Sequence, residues 1–553
     1  MATQTARGQE TAVTRHSTGI FTGRRGRLLR EHLTAYLFLT PAALIIFTFG
    51  IFPIFYAAYV SMYKWRIRQG EFRGLANFIR AMGDVAYVFF AIIVLILLIV
   101  AINAAIKAYR TAREQAIPLR FPLLAFIPGA LISYGLAEIL LRFITFFSQE
   151  QAIQQGYAKI LGNVPLGITL LILGFIVSHY VNNIQHKAAA KSPYSILPSF
   201  LGPATIIIVC TATAFLLARF TYQELQASER YGLALIRAAL MAAGLIIFAL
   251  AYILWRWAMH QHSTLKTILG ILAAAAFIGG GVFFTTFWPI ISKDADVDFY
   301  RSLQVTVFFS LGTVPIQLTI ALILAYLLFQ DIKGKALFRV IFFIPYIAPS
   351  VATAGIFEVI FSLREGSIAN RIIAFLTNGA TKSLLWLKEP NPALSVLGQA
   401  FGIDIAANWN AGPSLALVVI ILYGIWVFVG YNTVIFLAGL GNIPHELYEA
   451  AKIDGAGRWA LFRHITLPLL SPITFLLSVL AVIGTFKAFN HIWILRDTAA
   501  LGTTDTASVY FFETFFRGAR FGYATSMAII LFTIILAMTI IQNRIAERRV
   551  FYG

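Results

Sequence analysis

Runs of about twenty apolar residues recur along this chain and limit its fold more than any other feature, because a helix of that length crosses about 30 Å of hydrocarbon at about 1.5 Å per residue. They fall at roughly 33–62, 85–106, 121–147, 164–182, 195–220, 231–255, 265–291, 299–329, 338–362, 413–440, 466–492 and 521–543, about twelve in all. With 59% hydrophobic against 12% charged residues and a mean hydropathy of +0.79, the 553 residues do not read as a water-soluble globule. The expected class is an all-α polytopic membrane protein of about twelve transmembrane helices.

Charge sets the expected topology. Residues 1–32 are polar and end in Arg24, Arg25, Arg27 and Arg30, a cytoplasmic tail by the positive-inside rule. The apolar run that follows from Leu33 is too long for the core of a signal peptide and lacks a small-residue cleavage site, so it reads as a retained span. Loops then expected inside carry Lys107, Arg110, Arg113 and Arg120, then Lys187 and Lys191, Arg256 and Lys266, and Lys333, Lys335 and Arg339. The C-terminus holds Arg544, Arg548 and Arg549, so both termini are expected in the cytoplasm. Outside loops are mixed or acidic, as in Asp294, Asp296 and Asp298. The exception is the first of them, where Lys64, Arg66, Arg68, Arg73 and Arg80 face only Glu71 and Asp84, an excess the rule leaves unexplained.

The formal charge of +19 is scattered between apolar segments rather than gathered on a soluble domain, which argues against nucleic acid as a partner. The single cysteine, Cys210, lies in an apolar run and excludes a disulfide framework or a cysteine metal site. No phosphate-cradling Gly-Lys-Ser/Thr loop is present, and His260 and His262 lack metal-ligand spacing, so neither an enzyme nor a cofactor or metal is expected. A long outside segment, 363–412, contains Trp386, Pro390, Pro392, Trp409 and Pro413 and reads either as a docking surface or as a plain exposed loop. Glu138 and Arg142, four residues apart inside a span, are expected to neutralise each other, with a proton or ion path as the minority reading.

One inside loop has helical character. Ile443-Pro444 before His445-Glu446-Leu447 marks a helix start, and Gly455 permits the turn into a second short helix. Ala450 and Ala451 allow close approach of a partner, while Glu449, Arg458 and Arg463 offer charged edges. From the residues alone, a docking hairpin and an amphipathic element lying on lipid headgroups are equally good readings.

The tract Glu449-Ala450-Ala451, three residues, Gly455, nine residues, Ile465, one residue, Leu467-Pro468 resembles the coupling-loop signature of ABC importer permeases at every fixed position. The resemblance implies a type I importer permease core whose loop 441–465 inserts into a cytoplasmic ABC ATPase dimer. Other tracts are similar to carbohydrate permeases of the maltose and glycerol-phosphate type: Tyr36 to Ala42 with Pro53 and Trp65, Gly74-Leu75-Ala76-Asn77-Phe78, Phe343-Ile344-Pro345-Tyr346, and Gly439-Leu440 with Ile443-Pro444. They imply a bacterial cell-membrane protein moving a sugar, with glycerol phosphate, a polyol or another small polar solute as the alternative. A second permease subunit and an extracytoplasmic sugar-binding protein are the further implied partners. Two departures stand out: Asp497 to Gly502 replaces the family's Gly-Gly-Pro, and Asn490 replaces the Asp after Phe486-Lys487-Ala488-Phe489.

The family's continuation after Phe78 appears only at Asp298-Phe299-Tyr300-Arg301-Ser302-Leu303. Residues 85–291 therefore read as an inserted six-span membrane block, leaving 33–84 and 292–548 as the transport engine. An even number of spans keeps both flanks on one side. Trp426, Tyr431 and Asn432, with neighbouring Thr433, are the candidate sugar path, since aromatic faces suit ring C–H surfaces and amides suit hydroxyls; Lys487 and Asn490 join them. A secondary transporter working alone is the rival class, and it requires paired inverted repeats that the chain does not display.

Overall fold

The computed structural model describes residues 24–114, 117–148, 164–188, 196–259, 264–330, 332–404 and 412–549. Lys191, Trp409, His260 and His262 lie outside the described residues. Among the described residues, nine helices are long and apolar enough to span a bilayer, eleven if each of two sharply bent pairs is one span, and a shorter apolar helix covers Val164–Ser178.

The chain divides into two compact units, Met1–Ala58 and Tyr59–Gly553. The first holds helix α1 (Arg24–Ile45), a π-helical turn at Ile46–Ile51 and most of α2 (Phe52–Ser61), whose last residues belong to the second. Pro41 lies inside α1, where the Thr40 hydroxyl donates to the Tyr36 carbonyl at 2.7 Å. Its large side chains Tyr36, Leu37, Phe38 and Phe49 are exposed, as lipid-facing or partner-facing groups are.

The second unit opens with an antiparallel hairpin, β1 (Tyr63–Trp65) and β2 (Gln69–Phe72), followed by α3 (Ala76–Met82). Six helices follow: α4 (Val85–Glu114), α5 (Phe126–Ser148), α6 (Val164–Ala188), α7 (Ile196–Ala227), α8 (Tyr231–Ala258) and α9 (Thr264–Ile291). They pack as neighbours α4 on α7, α5 on α6 and α8 on α9. With no hydrophobic drive between helices in lipid, close packing at small residues holds such pairs. Gly244 lies under the Phe284 ring and Gly280 under the Phe248 ring, and those two rings stack at 5.6 Å. Glu138 and Arg142 form the expected ion pair on α5 at 2.8 Å.

The two ends of this block lie against each other. The Asp296 amide donates to the Ala81 carbonyl at 3.3 Å, the Tyr300 hydroxyl to the Met82 carbonyl at 3.0 Å, and Gly83, at φ +61°, faces Ala295. Arg237 of α8, 6% exposed, pairs with Asp84 at 2.8 Å and also with Asp294.

Beyond it come α10 (Val297–Phe329), α11 (Lys335–Ile347), α12 (Ser350–Ile360), the short helices α13 (Ile368–Leu376) and α14 (Ala393–Ala400), and α15 (Leu415–Gly441). Helix α15 is the most buried span and centres the core with Phe309, Leu417, Ile420 and Tyr423. Helices α10 and α15 run parallel: Gly312 faces Ile421, Gly424 faces Thr313, and the Thr433 hydroxyl lies 3.4 Å from the Ala321 carbonyl. The start of α10 and the end of α15 are therefore at opposite ends of the bundle.

The sequence run 338–362 is not one straight span. It bends by 96° between α11 and α12. Ala348 precedes Pro349 and is extended (ψ 144°), as a residue before proline prefers, which ends α11 there. The run near 466–492 is likewise bent by 61° between Leu469 and Ser471, and its second arm, α16 (Ser471–Phe486), stops before Lys487. In the segment 363–412, Asn370 ties α13 to the chain around it, its Nδ2 donating to the Ser362 and Arg364 carbonyls and its Oδ1 accepting from Leu384 and the buried Trp386 indole at 2.7 Å.

Candidate functional site

Where α11, α12, α15 and α16 meet α10, a cavity of about 500 Å³ opens, within the range of small-molecule sites. Gly430 permits this junction, because a Cβ there would overlap the Phe342 carbonyl oxygen, so only glycine lets α11 cross α15 so closely. One wall is aromatic: Tyr346 of α11 stacks on Tyr431 of α15 with centroids 4.5 Å apart and planes at 24°. Two turns earlier on α15, the Tyr423 hydroxyl lies 2.7 Å from the Thr353 hydroxyl, and the Tyr423 ring stacks on His491 at 5.1 Å.

The polar lining is the chemical signature. Thr313 Oγ1, Gln317 Oε1, Asn432 Nδ2 and His491 Nε2 are buried and have no hydrogen-bond partner among the described residues, and all four residues line this cavity. A buried polar atom without a partner costs about 1–3 kcal/mol. Hydroxyl, amide and imidazole side chains thus gather with Lys487 and Asn490 around one space bounded by aromatic faces, a mixed lining that suits a hydroxyl-rich polar ligand.

Of the sequence-derived path residues, Tyr431, Asn432, Lys487 and Asn490 line the cavity. Trp426 does not; its ring packs on Phe357 at 5.4 Å and near Tyr423. Thr433 is buried beside the cavity helix with its hydroxyl donated to the Val429 carbonyl at 2.7 Å. Sequence reasoning missed Thr313, Gln317 and His491. An amide two residues after Pro315 in an otherwise apolar span was the available signal for Gln317.

The segment that carries His491 is anchored beyond it. Arg496 pairs with Asp505 at 3.2 Å and with Glu513, while its guanidinium lies 4.1 Å over the Trp493 ring. Burial pushes the Asp505 carboxyl above the ordinary carboxylate range, with the Arg496 charge opposing the shift. At the block's seam the hydrogen bond from Arg237 holds the Asp294 carboxyl below that range.

Beyond the far end of α15 comes the hairpin's first arm, His445–Ile453, starting after Pro444 as expected. Gly455 turns the chain at φ +81°, a left-handed conformation other residues rarely adopt, and the Ala456 amide closes onto the Ala451 carbonyl at 2.9 Å. The return arm begins at Arg458–Leu461 and continues as a π-helical turn, Phe462–Thr466. Tyr448 and Thr466 hydroxyls lie 3.0 Å apart and the Phe462 ring meets Tyr326 at 5.0 Å, so the base of the hairpin is fixed to the bundle. Its outer surface is open: Glu449 and Ala450 are exposed, Glu449 lies 3.0 Å from His445 Nδ1, and Ile453 and Trp459 are 86% and 69% exposed. Ile465 is half-buried, and Leu467 and Pro468 are exposed where the hairpin rejoins the bundle.

A helical bundle with a cavity at a broken helix and an exposed, partly apolar hairpin is consistent with a membrane-embedded transport subunit. The chain belongs to the binding-protein-dependent transport system inner membrane component family, whose pattern matches residues 317–551. It is thus a multi-pass inner-membrane ABC importer permease. It is 33% identical over 260 residues to the probable ABC transporter permease protein YesP of Bacillus subtilis, covering 46% of this chain and 75% of that one. The lactose transport system permease protein LacF of Rhizobium radiobacter is 29% identical over 291 residues, 52% of this chain and 89% of LacF. The trehalose/maltose transport system permease protein MalF of Thermococcus litoralis is 30% identical over 252 residues, 46% of this chain and 76% of MalF. Among the described residues no group of His, Cys, Asp or Glu is placed to hold a metal ion.

Proposed function

We propose that this chain carries a sugar, a mono- or oligosaccharide, through the cavity between α10, α11, α15 and α16, driven by a cytoplasmic ABC ATPase dimer that docks on the hairpin. The observation that carries the reading is the set of polar side chains, Thr313, Gln317, Asn432, Lys487, Asn490 and His491, that line one aromatic-walled space. Sugar rings present C–H faces to aromatics and hydroxyls to amides and imidazole, which is the pattern of this lining. Tyr346 and Tyr431 supply the stacking face; Asn432 and Gln317 supply a donor and an acceptor. Relatives named for lactose and for trehalose/maltose transport support the same class.

Coupling follows from the hairpin. Glu449, Ala450, Ala451, Gly455, Ile465, Leu467 and Pro468 form the ATPase-facing element, with exposed Ile453 and Trp459 as apolar anchors for a cleft. Because α15 joins the cavity to the hairpin without a break, displacement of the hairpin moves Tyr431 and Asn432. A second permease subunit completes the pathway, and an extracytoplasmic sugar-binding protein delivers the cargo. Residues 85–291 are an insertion into the permease, and their adjoining ends fit that reading. Sugar binding to the assembled complex, measured by isothermal titration, tests the cavity: Asn432→Leu weakens binding severalfold, and unchanged affinity contradicts the site.

A second cargo has one specific observation in its favour. Among the described residues lining the cavity, Lys487 is the only Lys, Arg, Asp or Glu, so a solute bearing phosphate, such as glycerol phosphate, finds a counter-charge there. Competition between a neutral sugar and glycerol phosphate for the same site separates the two.

A further inference from the structure

The excess of positive charge after the first span acquires a geometry in the fold. Lys64 and Arg66 of the hairpin, Arg73, Arg80 of α3 and Arg520 line one pocket of about 290 Å³. Arg520 comes from the far end of the sequence, just before the last span, Phe521–Arg549. None of these five cations forms an ion pair with a described residue. Arg80 lies 4.8 Å over the Tyr523 ring, and Asp296, the carboxylate bonded to Tyr523, accepts from the hydroxyls of Tyr510 and Tyr523 and from the amides of Asp298 and Phe299 rather than from any of the five.

The basin is built rather than incidental. Asn77 Nδ2 donates to the Ser61 carbonyl at 2.7 Å and the Tyr63 carbonyl at 3.0 Å, and the Arg73 amide donates to the Met62 carbonyl at 2.7 Å, so the hairpin is pinned to α3. Gly522 leaves room for the Tyr63 carbonyl against the start of the last helix, where a Cβ would overlap it. Like charges held this close repel one another, and an anion relieves that repulsion.

Position selects the anion's source. Tyr63 lies two residues after the helix end at Ser61, Arg520 directly precedes the last span, and Arg80 stands shortly before α4 begins at Val85. The basin therefore sits where spans leave the hydrocarbon, at the level of lipid headgroups, and Tyr63 and Trp65 on its rim are the residue types that occupy that layer. Asp296, at the start of α10, places it at the end of the bundle opposite the coupling hairpin. We infer that this basin binds the phosphate group of an anionic membrane lipid, a phosphoester anion that a soluble phosphate ester could also present.

The test uses the assembled transporter complex in nanodiscs of phosphatidylcholine with a minority of phosphatidylglycerol, with retained lipid counted by native mass spectrometry. The wild type is expected to retain phosphatidylglycerol over phosphatidylcholine, and Arg66→Gln with Arg80→Gln and Arg520→Gln to lower that preference by at least about tenfold. The corresponding triple Lys variant, which keeps the charge, is expected to restore it, and an equal melting midpoint in pure phosphatidylcholine shows that the Gln variant folds. Equal preference in wild type and Gln variant overturns the proposal. Displacement of the lipid by soluble glycerol phosphate at equal headgroup concentration overturns the lipid as the source. Loss of binding-protein docking in the Gln variant, with lipid preference unchanged, assigns the basin to an acidic protein face instead and overturns it as well.

Discussion

The Arg237 guanidinium reaches Asp84 at 2.8 Å across 153 positions of sequence, and the same side chain holds Asp294. These carboxylates flank the six helices between Val85 and Ile291 in sequence, so one buried cation of those helices ties both flanks together.

Removing that cation leaves Asp84 without its partner. Arg237→Gln is expected to destabilise the protein by about 3–5 kcal/mol, the usual range for breaking a buried ion pair from one side. Thermal unfolding in detergent checks this, with Arg301→Gln, an exposed cation, as a control that leaves the midpoint in place.

Acid loosens the seam only at low pH. The Asp294 carboxyl is held below its ordinary value of 3.8, so its contribution is fully present above that value and is lost as pH falls through the lower folded value. The gap in melting midpoint between wild type and Asp294→Asn is expected to stay constant from pH 7 to pH 5 and to close only below about pH 4. A gap that closes between pH 7 and pH 5 contradicts the assignment.

In the cavity, stability and transport are expected to part company. Gln317→Leu and Asn432→Leu replace unpartnered polar groups with apolar ones of similar size, a change that is neutral or mildly stabilising to the fold. Uptake is expected to fall by about two- to tenfold, since each lost hydrogen bond to a ligand is worth about 0.5–1.5 kcal/mol. Melting curves and uptake measured on the same preparations decide it.

Gly430→Ala is expected to lower both. The methyl collides with the backbone of Phe342, which cannot swing aside as a side chain does, and forces α11 away from α15 at a cost of about 1–3 kcal/mol. Gly441→Ala, where a Cβ meets nothing within 4 Å, is the matched control.

The hairpin was legible because its signals are local: Pro444 starts a helix, Gly455 ends it at φ +81°, and the residues between carry the family pattern in register. Apolar runs marked the spans for the same reason. The breaks did not show, since Ala348 and Pro349 lie within a continuous apolar run and only the three-dimensional path reveals a 96° turn. Tyr431 and Asn432 were found as polar and aromatic neighbours on one helix, but Thr313, Gln317 and His491 join them from other elements, a convergence that spacing cannot carry. Likewise, Lys64 to Arg80 stood out as a charge excess, while Arg520, which completes their pocket, is separated from them by most of the chain.

The measurement that bears most directly on the transport role is accumulation of labelled sugar by proteoliposomes holding the complete complex, with ATP on the ATPase side. Uptake is expected to require the ATPase and to vanish, together with ATPase retention in pull-downs, in Gly455→Pro and Glu449→Lys. Sugar uptake by the purified chain alone, with no ATPase present, would contradict it.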